Sequence, residues 1–389
     1  MYSLFNFKNF FWYFFEPSSA YIYYKNVRIN LLTFKTEKYS VNKLKNKLKN
    51  VLLTANSIRP TIYHCYYELG YLLHNLDKLV DENDELLIEI NYAKFKKIPI
   101  KNFTHKSHQN INLIAAPSIT LEEYTKAFDI GYNHLLQGDC YQFNLTNLFN
   151  FTFQNDITEY DFIHTLFTNK NRLAAFAHAT YLEPFNELIL SNSPECLFKI
   201  KNKRIYSYPI KGSIPFNENS DDKIKIWKKL KNSKKDRAEL FIIIDLIRND
   251  LSKINQTISL VEKKQGQLKV PGILHQYAKI STQLNKKTTL WNIINALFPG
   301  GSITGAPKKR VLEIIHKIEN HPRGIYTGST ILLFKKHRVA SINIRTAVVD
   351  FNQKMLKYGA GGGITLLSRS HQEFNEMKLK LSSFTNIFE

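Results

Sequence analysis

Phe298-Pro-Gly-Gly-Ser-Ile-Thr-Gly-Ala-Pro-Lys308, running on into Lys309-Arg-Val-Leu-Glu-Ile-Ile-His-Lys-Ile-Glu319, sets the texture of the chain. Val311, Leu312, Ile314, Ile315 and Ile318 recur at helical spacing, and Pro307 suits a first helical turn. Small residues ahead of a helix start leave its amide groups open to an anion. The stretch has neither the GxxxxGK[ST] of a Walker loop nor a dinucleotide fingerprint, so carboxylate fits as well as phosphate. A tight structural connection explains it equally. Upstream, Leu121 to Leu136 carries Tyr124, Phe128, Tyr132 and Leu135 at helical spacing, Gly138-Asp139 ends it, and Cys140 to Thr146 alternates like a strand. Strand and helix signals alternate from there to the C-terminus without a linker or repeat. One mixed α/β unit is expected over 117–389, with residues 1–115, an irregular α/β stretch, packed onto it. Glu85 to Ile90 reads as a strand and Lys96 to Asn112 as a polar loop.

The sequence has 389 residues, 43% hydrophobic and 22% charged, enough to bury a substantial core and to exclude wholesale disorder. Only 15 Gly and 12 Pro exclude collagen-like and low-complexity classes. Cys65, Cys140 and Cys196 are too few and too far apart for a disulfide framework or a metal knuckle, which points to a reducing compartment. The formal charge is +21, but the excess is lysine scattered among Asn and Ile, a bias like that of AT-rich genomes. No nucleic-acid module accompanies it, so no nucleic-acid partner is expected. The aromatic run Phe10 to Phe15 is far short of the ~18 residues of a membrane span and reads as a core strand. No signal-peptide pattern is present, so no membrane and a cytoplasmic location are expected.

Two segments hold paired carboxylates. Asp236-Arg-Ala-Glu239 opens an apolar, helical run, and His371 to Leu381 sets Glu373, Glu376 and Lys380 within about 60° on one helix face. Facing each other, such helices would offer the hard oxygen ligands that suit Mg²⁺; by spacing alone a solvated face with Glu–Lys pairs is the commoner outcome. Gly359-Ala-Gly-Gly-Gly363 reads as a second glycine turn, one that implies close backbone approach. Lys211 lies between apolar residues and Gly212, where a neutral, nucleophilic lysine is possible, although most lysines of this chain are surface residues. Ser193-Pro-Glu195 ends a strand-like run, where a carboxyl could act as general acid.

Taken in order, these segments resemble the chorismate-utilising enzymes, which include anthranilate synthase component I, aminodeoxychorismate synthase component I and the isochorismate and salicylate synthases. The matching pieces are GDCYQFNLT (138–146), SPE (193–195), PIKGSIP (209–215), DRAE with DLIRNDLSKI (236–254) and His275 in VPGILHQYAKIST. They continue with FPGGSITGAPKKR (298–310), RGIYTG (323–328), INIRTAVV (342–349), GAGGGI (359–364) and EFNEMKLK (373–380). The resemblance covers the C-terminal two-thirds. It implies an α+β fold, a two-layered β sandwich flanked by helices. It also implies Mg²⁺ held directly by Glu239 and Glu376 and through water by Asp236 and Glu373. That ion would anchor the ring carboxylate of chorismate, with Lys380 balancing charge. Tyr326, Arg345 and the amides of Gly359, Ala360 and Gly361 would clamp the enolpyruvyl carboxylate. His275 and Ser302 would line the ring-carboxylate side, and Gly212 and Ser213 belong to the substrate-binding stretch. Charge-assisted contacts of this kind suit a dianionic substrate.

Two positions discriminate among the members. Water-using members carry a Lys base where this chain has Gln142, which argues for ammonia. Anthranilate synthases have PIAGT where this chain has PIKGS, and Lys211 matches the aminodeoxychorismate synthase pattern. There the lysine is thought to attack C2 of chorismate while Glu195 protonates the departing C4 hydroxyl. Ammonia then adds at C4 and expels the lysine. The resemblance thus implies an enzyme of amino-group transfer from glutamine, making 4-amino-4-deoxychorismate on the way to 4-aminobenzoate and folate. The alternatives are anthranilate synthesis, on the tryptophan branch, and, remotely, a non-catalytic basic nucleic-acid-binding protein. No Gly-x-Cys-x-Gly glutaminase turn occurs, so a separate glutamine amidotransferase subunit is the expected partner. Ser213 stands where the pattern has Thr, Ser252 and Lys253 where it has Gly and Arg, and Cys196 and Leu197 where it has Arg and Phe. None of these removes an expected catalytic group.

Overall fold

The computed structural model describes residues 1–7, 10–53, 57–99, 110–154, 156–169, 173–216, 223–270 and 273–388. Its strands are joined by antiparallel ladders into one continuous series. One half begins with Leu260–Val270 and Ile273–Gln283, the latter also pairing with Ile210–Pro215. Arg204–Tyr208, Cys196–Lys201, His337–Ile342, Ser329–Lys335 and Ser57–Cys65 follow in order. The long strands Leu87–Pro99 and Phe10–Tyr23 lead across to the other half. That half runs Tyr2–Phe7, His178–Leu182, Glu187–Ser191, Thr346–Asp350, Met355–Ile364 and Gln142–Thr152.

Alternation along the strands explains the layering, because successive side chains face opposite ways. In Ser329–Lys335, Ile331 and Leu333 enter one apolar cluster while Leu332 and Phe334 enter another. The second of these clusters also holds Phe5, Phe14, Ile22, Ile88 and Ile189, drawn from both halves, and so lies between the two layers. Outside one layer, Val41–Lys49, Lys234–Asn255 and Leu290–Leu297 bury Leu44, Ile243 and Ile293. Outside the other, Leu121–Leu136, Glu159–Thr168, Lys308–Ile318 and Ser370–Thr385 bury Phe128, Phe162, Val311 and Phe384. The result is the expected α+β architecture, a two-layered β sandwich flanked by helices. No helix among the described residues is long and apolar enough to cross a membrane.

The strands of the first 99 residues are woven through the sheet, linking its halves, where irregular structure laid against a core was expected. Phe10 to Phe15 is a strand, as its aromatic density suggested. The loop expected over Lys96 to Asn112 needs correction at its start: Lys96 to Pro99 complete the strand Leu87–Pro99, paired with Phe10 to Tyr13. Lysines tolerate this strand because their ammonium groups lie over cross-strand rings, Lys97 at 3.9 Å from the Phe10 centroid and Lys96 at 5.1 Å from Tyr13. Positions 100–109 of that expected loop lie outside the described residues. The helix Leu121–Leu136 begins where the spacing placed it, with Thr120 and Glu123 closing a capping box.

Candidate active site

Gly359 to Gly363 do not form a turn. They lie within the strand Met355–Ile364, in register with Gln142–Thr152: Gly359 opposite Leu148, Gly361 opposite Thr146, Gly363 opposite Asn144. The close approach expected of these glycines is present all the same. A Cβ on Gly359 would enter the Tyr326 ring, and one on Gly363 would lie 2.9 Å from Gln142 Nε2, 3.1 Å from Lys211 Nζ and 3.3 Å from Asn144 Oδ1. On the opposite face, the Cβ position of Gly362 is 3.5 Å from both Glu373 Oε2 and Lys380 Nζ. A strand bare of side chains thus lets a lysine reach it from each face, with two amides beside Lys211 and the Glu373 carboxylate beside Lys380. Gly363→Ala is expected to leave folding intact, because flexible tips can move aside, and to lower turnover by about tenfold or more through displaced Lys211 and Gln142. Thermal unfolding beside steady-state kinetics checks both halves of that expectation.

Lys211 sits at an irregularity. The strand Ile210–Pro215 changes register against Ile273–Gln283 between Ile210 and Ser213, and Gly212 adopts φ +79°. A bulge of this kind re-aims a side chain, and only glycine takes that φ without strain. Asp236 packs on Gly212, its Cβ 2.9 Å from where a glycine Cβ would lie. One turn further along the same helix, Glu239 Oε2 is 3.9 Å from Lys211 Nζ. Ser233 caps this helix by accepting from the Asp236 amide at 3.3 Å, which fixes both acids on one face. Ser213 Oγ and His275 Nδ1 are 2.6 Å apart. Burial, with the Arg345 charge nearby, pushes the His275 imidazole down to about 4, so it is neutral at pH 7.

Glu195 and Ser302 meet in the interior. Both are buried, and Glu195 Oε1 and Ser302 Oγ each lack a hydrogen-bond partner. Burial raises the Glu195 carboxyl above its ordinary value, against the pull of the nearby Ser302 hydroxyl, the Lys211 charge and the Ile210 amide. A buried carboxyl whose proton affinity is raised, set beside a lysine, suits general-acid work. The turn that carries Ser302 is a packing junction: a Cβ on Gly300 would press on Ile342, one on Gly301 on Leu246 and one on Gly305 on the Gln142 carbonyl. Pro307 is the N-cap of the following helix. Buried Lys308 turns back to Asp250 at 2.9 Å and the Leu297 carbonyl at 3.1 Å, so the helix start is tied to the fold.

On the C-terminal helix Glu373 is buried, while Glu376 is half exposed and 2.9 Å from Lys380 Nζ. That ammonium also donates to the Gly361 carbonyl at 2.9 Å. Among the described residues no three His, Cys, Asp or Glu side chains gather as a ready-made metal cage. The donor chemistry still suits a hard divalent ion: two carboxylates on each of two helices, with Lys211 against one pair and Lys380 against the other. Arg345, half-buried with φ 52°, is felt electrostatically at His275 and at Tyr358, and Tyr358 also feels buried Tyr326. Lys211, Gln142, Glu195, Ser302, Glu239 and Asp236 therefore share one neighbourhood. Glu373, Glu376 and Lys380 border it across the glycine strand.

Sequence reasoning gave no role to Asn144, or to the ion pair behind it. Arg323 Nε donates to Glu319 Oε2 at 2.7 Å with both side chains buried, and Arg323 Nη2 donates to the Asn144 carbonyl at 2.9 Å. Glu319 Oε1 in turn accepts from the Thr146 amide at 2.7 Å. This network sets the strand that carries Gln142. Only the i, i+4 spacing of Glu319 and Arg323 hinted at it.

A family model described as chorismate binding enzyme matches residues 29–386. The chain belongs to that family. Aminodeoxychorismate synthase component 1 of Escherichia coli is 35% identical over 283 residues, 72% of this chain and 59% of the relative. Anthranilate synthase component 1 of Saccharolobus solfataricus is 28% identical over 269 residues, 68% of this chain and 62% of the relative. The chain thus spans about three-fifths of the length of these curated relatives. The crystal structure of anthranilate synthase component I from Streptococcus pneumoniae superposes with a TM-score of 0.80 at 18% identity, covering 97% of this family member and 92% of that chain. That likeness establishes the shared fold.

Proposed function

We propose that the chain aminates chorismate at C4, the reaction for which its Escherichia coli relative is named, giving 4-amino-4-deoxychorismate, a precursor of 4-aminobenzoate and folate. The observation that carries this reading is Lys211 re-aimed by the Gly212 bulge into a pocket it shares with the neutral amide of Gln142 and the buried acid Glu195. Lys211 Nζ, once uncharged, bonds to C2, the ring double bond shifts, and the C4–O bond breaks, with Glu195 supplying the proton that lets the hydroxyl leave as water. Ammonia then bonds to C4, the double bond returns, and the C2–N bond breaks with its electron pair going back to Lys211. The Glu195 carboxylate recovers a proton from the added nitrogen, so one ammonia replaces one water overall. Two displacements split one difficult substitution into two easier ones. Tyr326, Arg345 and the backbone of Gly359, Ala360 and Gly361 hold the enolpyruvyl carboxylate, and neutral His275 with Ser213 and Ser302 orients the ring side. Mg²⁺ held by Glu239 and Glu376, and through water by Asp236 and Glu373, would supply positive charge for the ring carboxylate. A separate glutamine amidotransferase subunit delivers the ammonia.

The purified chain with chorismate, Mg²⁺ and ammonium chloride is expected to form 4-amino-4-deoxychorismate, followed by chromatography and mass spectrometry, and to stop when EDTA removes the metal. Anthranilate with pyruvate as the sole products overturns the C4 assignment in favour of the anthranilate branch.

A further inference from the structure

Glu68, in the N-terminal third of the chain, is a buried carboxyl with no part in the reaction above. It follows Ser57–Cys65, the strand whose ladder with Ser329–Lys335 ends at Cys65 opposite Ser329. Pairing continues past that end, into the turn Arg323 to Gly328. The Tyr67 amide donates to the Gly324 carbonyl at 2.8 Å, and Glu68 Oε1 accepts from the amides of Arg323 at 2.9 Å and Gly324 at 3.1 Å. Gly324 is therefore held by both its N–H and its carbonyl. This hold reaches the substrate site along two routes. Tyr326 lies two residues on, its ring filling the space beside Gly359, and the Thr327 amide ties the far end of the turn to the Asn343 carbonyl at 2.9 Å. The Arg323 guanidinium, 4.6 Å from the Tyr67 ring centroid, donates to the carbonyls of Ile303 and Asn144, each at 2.9 Å. Ile303 adjoins Ser302, and the Asn144 amide meets Lys211 at Gly363. We infer that Glu68 is a positioning residue for chorismate: its carboxylate, through two amide bonds, sets the turn that aims Tyr326 and anchors Arg323 behind the site.

Amide bonds to an ionised carboxylate are about twice as strong as those to a neutral acceptor, so the charge on Glu68 decides how firmly the turn is held. Burial pushes this carboxyl up to about 7, against the pull of the amides of Gly324, Glu68 itself and Arg323, and the Asp84 charge adds to the rise. Asp81 and Asp84, His316, and Glu319, His321 and Arg323 line a cavity of about 270 Å³ with it. Tyr67 and Tyr71 flank it within its own segment. Glu319 and Arg323 neutralise one another as an ion pair, which leaves Asp84 as the charge that acts on Glu68. The ionised form holds both amides best, so chorismate affinity is highest above the raised value and falls as pH drops through it. Histidines gain charge over the same range, which makes removal of the Glu68 charge the decisive comparison. This inference rests on the reading of the site as a chorismate site and holds whichever ring carbon receives the nitrogen.

The test is calorimetric titration of the purified chain with chorismate and Mg²⁺, without ammonia, from about pH 8.5 down to about pH 6, for wild type, Glu68→Gln and Glu68→Ala. Wild-type Kd is expected to weaken by about fivefold over that descent as the charge is lost. Glu68→Gln keeps the shape and an acceptor oxygen without the charge. It is expected to show the weaker Kd at every pH, with the pH dependence gone. Glu68→Ala leaves both amides without their acceptor and is expected to weaken binding by about tenfold or more. If the alanine variant folds poorly, the glutamine variant alone decides. A Kd in Glu68→Gln that matches wild type at every pH overturns the inference. So does a uniform loss of affinity with the wild-type pH dependence retained, which is the mark of a merely structural role. A wild-type chain that binds no chorismate at any pH overturns the proposed function, and the inference with it.

Discussion

Lys211→Ala is expected to lower 4-amino-4-deoxychorismate formation by about a thousandfold or more, since it removes the nucleophile of the first displacement. Lys211 Nζ is 3.9 Å from Glu239 Oε2 and only partly buried, so its loss leaves one carboxylate less compensated without opening a sealed core. The KM for chorismate is therefore expected to change far less than kcat. Lys211→Arg does not rescue, because a guanidinium keeps its proton and cannot attack carbon. Rapid quenching of the wild-type reaction followed by peptide mass analysis should find substrate mass on the peptide containing Lys211 and none in the alanine variant. Turnover that survives the alanine substitution would falsify covalent catalysis at this position.

Glu195→Gln carries the second large effect, a loss of about 10²- to 10⁴-fold in kcat, the usual worth of a positioned general acid. Its sign with pH follows from burial. The carboxyl is raised above its ordinary value, so the catalytically competent neutral form persists to higher pH than for an exposed Glu, and activity falls as pH climbs through the raised value. The glutamine variant is expected to lose that alkaline limb while keeping the other features of the profile. Stability follows the same direction. The folded chain holds this proton more tightly than the unfolded chain, so the contribution is fully present below the ordinary carboxylate value and is lost as pH rises through the raised one. A kcat/KM profile whose alkaline limb is unchanged in Glu195→Gln assigns the acid to another group.

Much of this was legible in the residues because the signals were local. The helix Leu121–Leu136, the helical run after Asp236 and the strand after Cys140 each follow from spacing within a dozen residues. The glycines of 359–363 announced close approach correctly but suggested the wrong element. Gly-rich segments usually turn, and only the Gln142–Thr152 partner strand, some 200 positions away, holds this one extended. Lys96 to Pro99 misled for a similar reason. Their composition is that of a loop, and cross-strand aromatic rings from Phe10 and Tyr13 stabilise them as a strand.

By itself the sequence determined several helices and strands of the C-terminal two-thirds, the family and the chemical types available for catalysis: carboxylates in pairs, one lysine beside a glycine, a neutral amide where other members keep a base. These follow from side-chain identity and short-range periodicity, which need no knowledge of distant contacts. Tertiary structure alone decided that Lys211 turns inward at a bulge, that burial raises the Glu195 carboxyl, and that Gln142 and Asn144 meet Lys211 at Gly363. Each of those properties arises from groups far apart in the chain brought within a few ångströms, where burial and orientation are set by the neighbours and not by the residue itself.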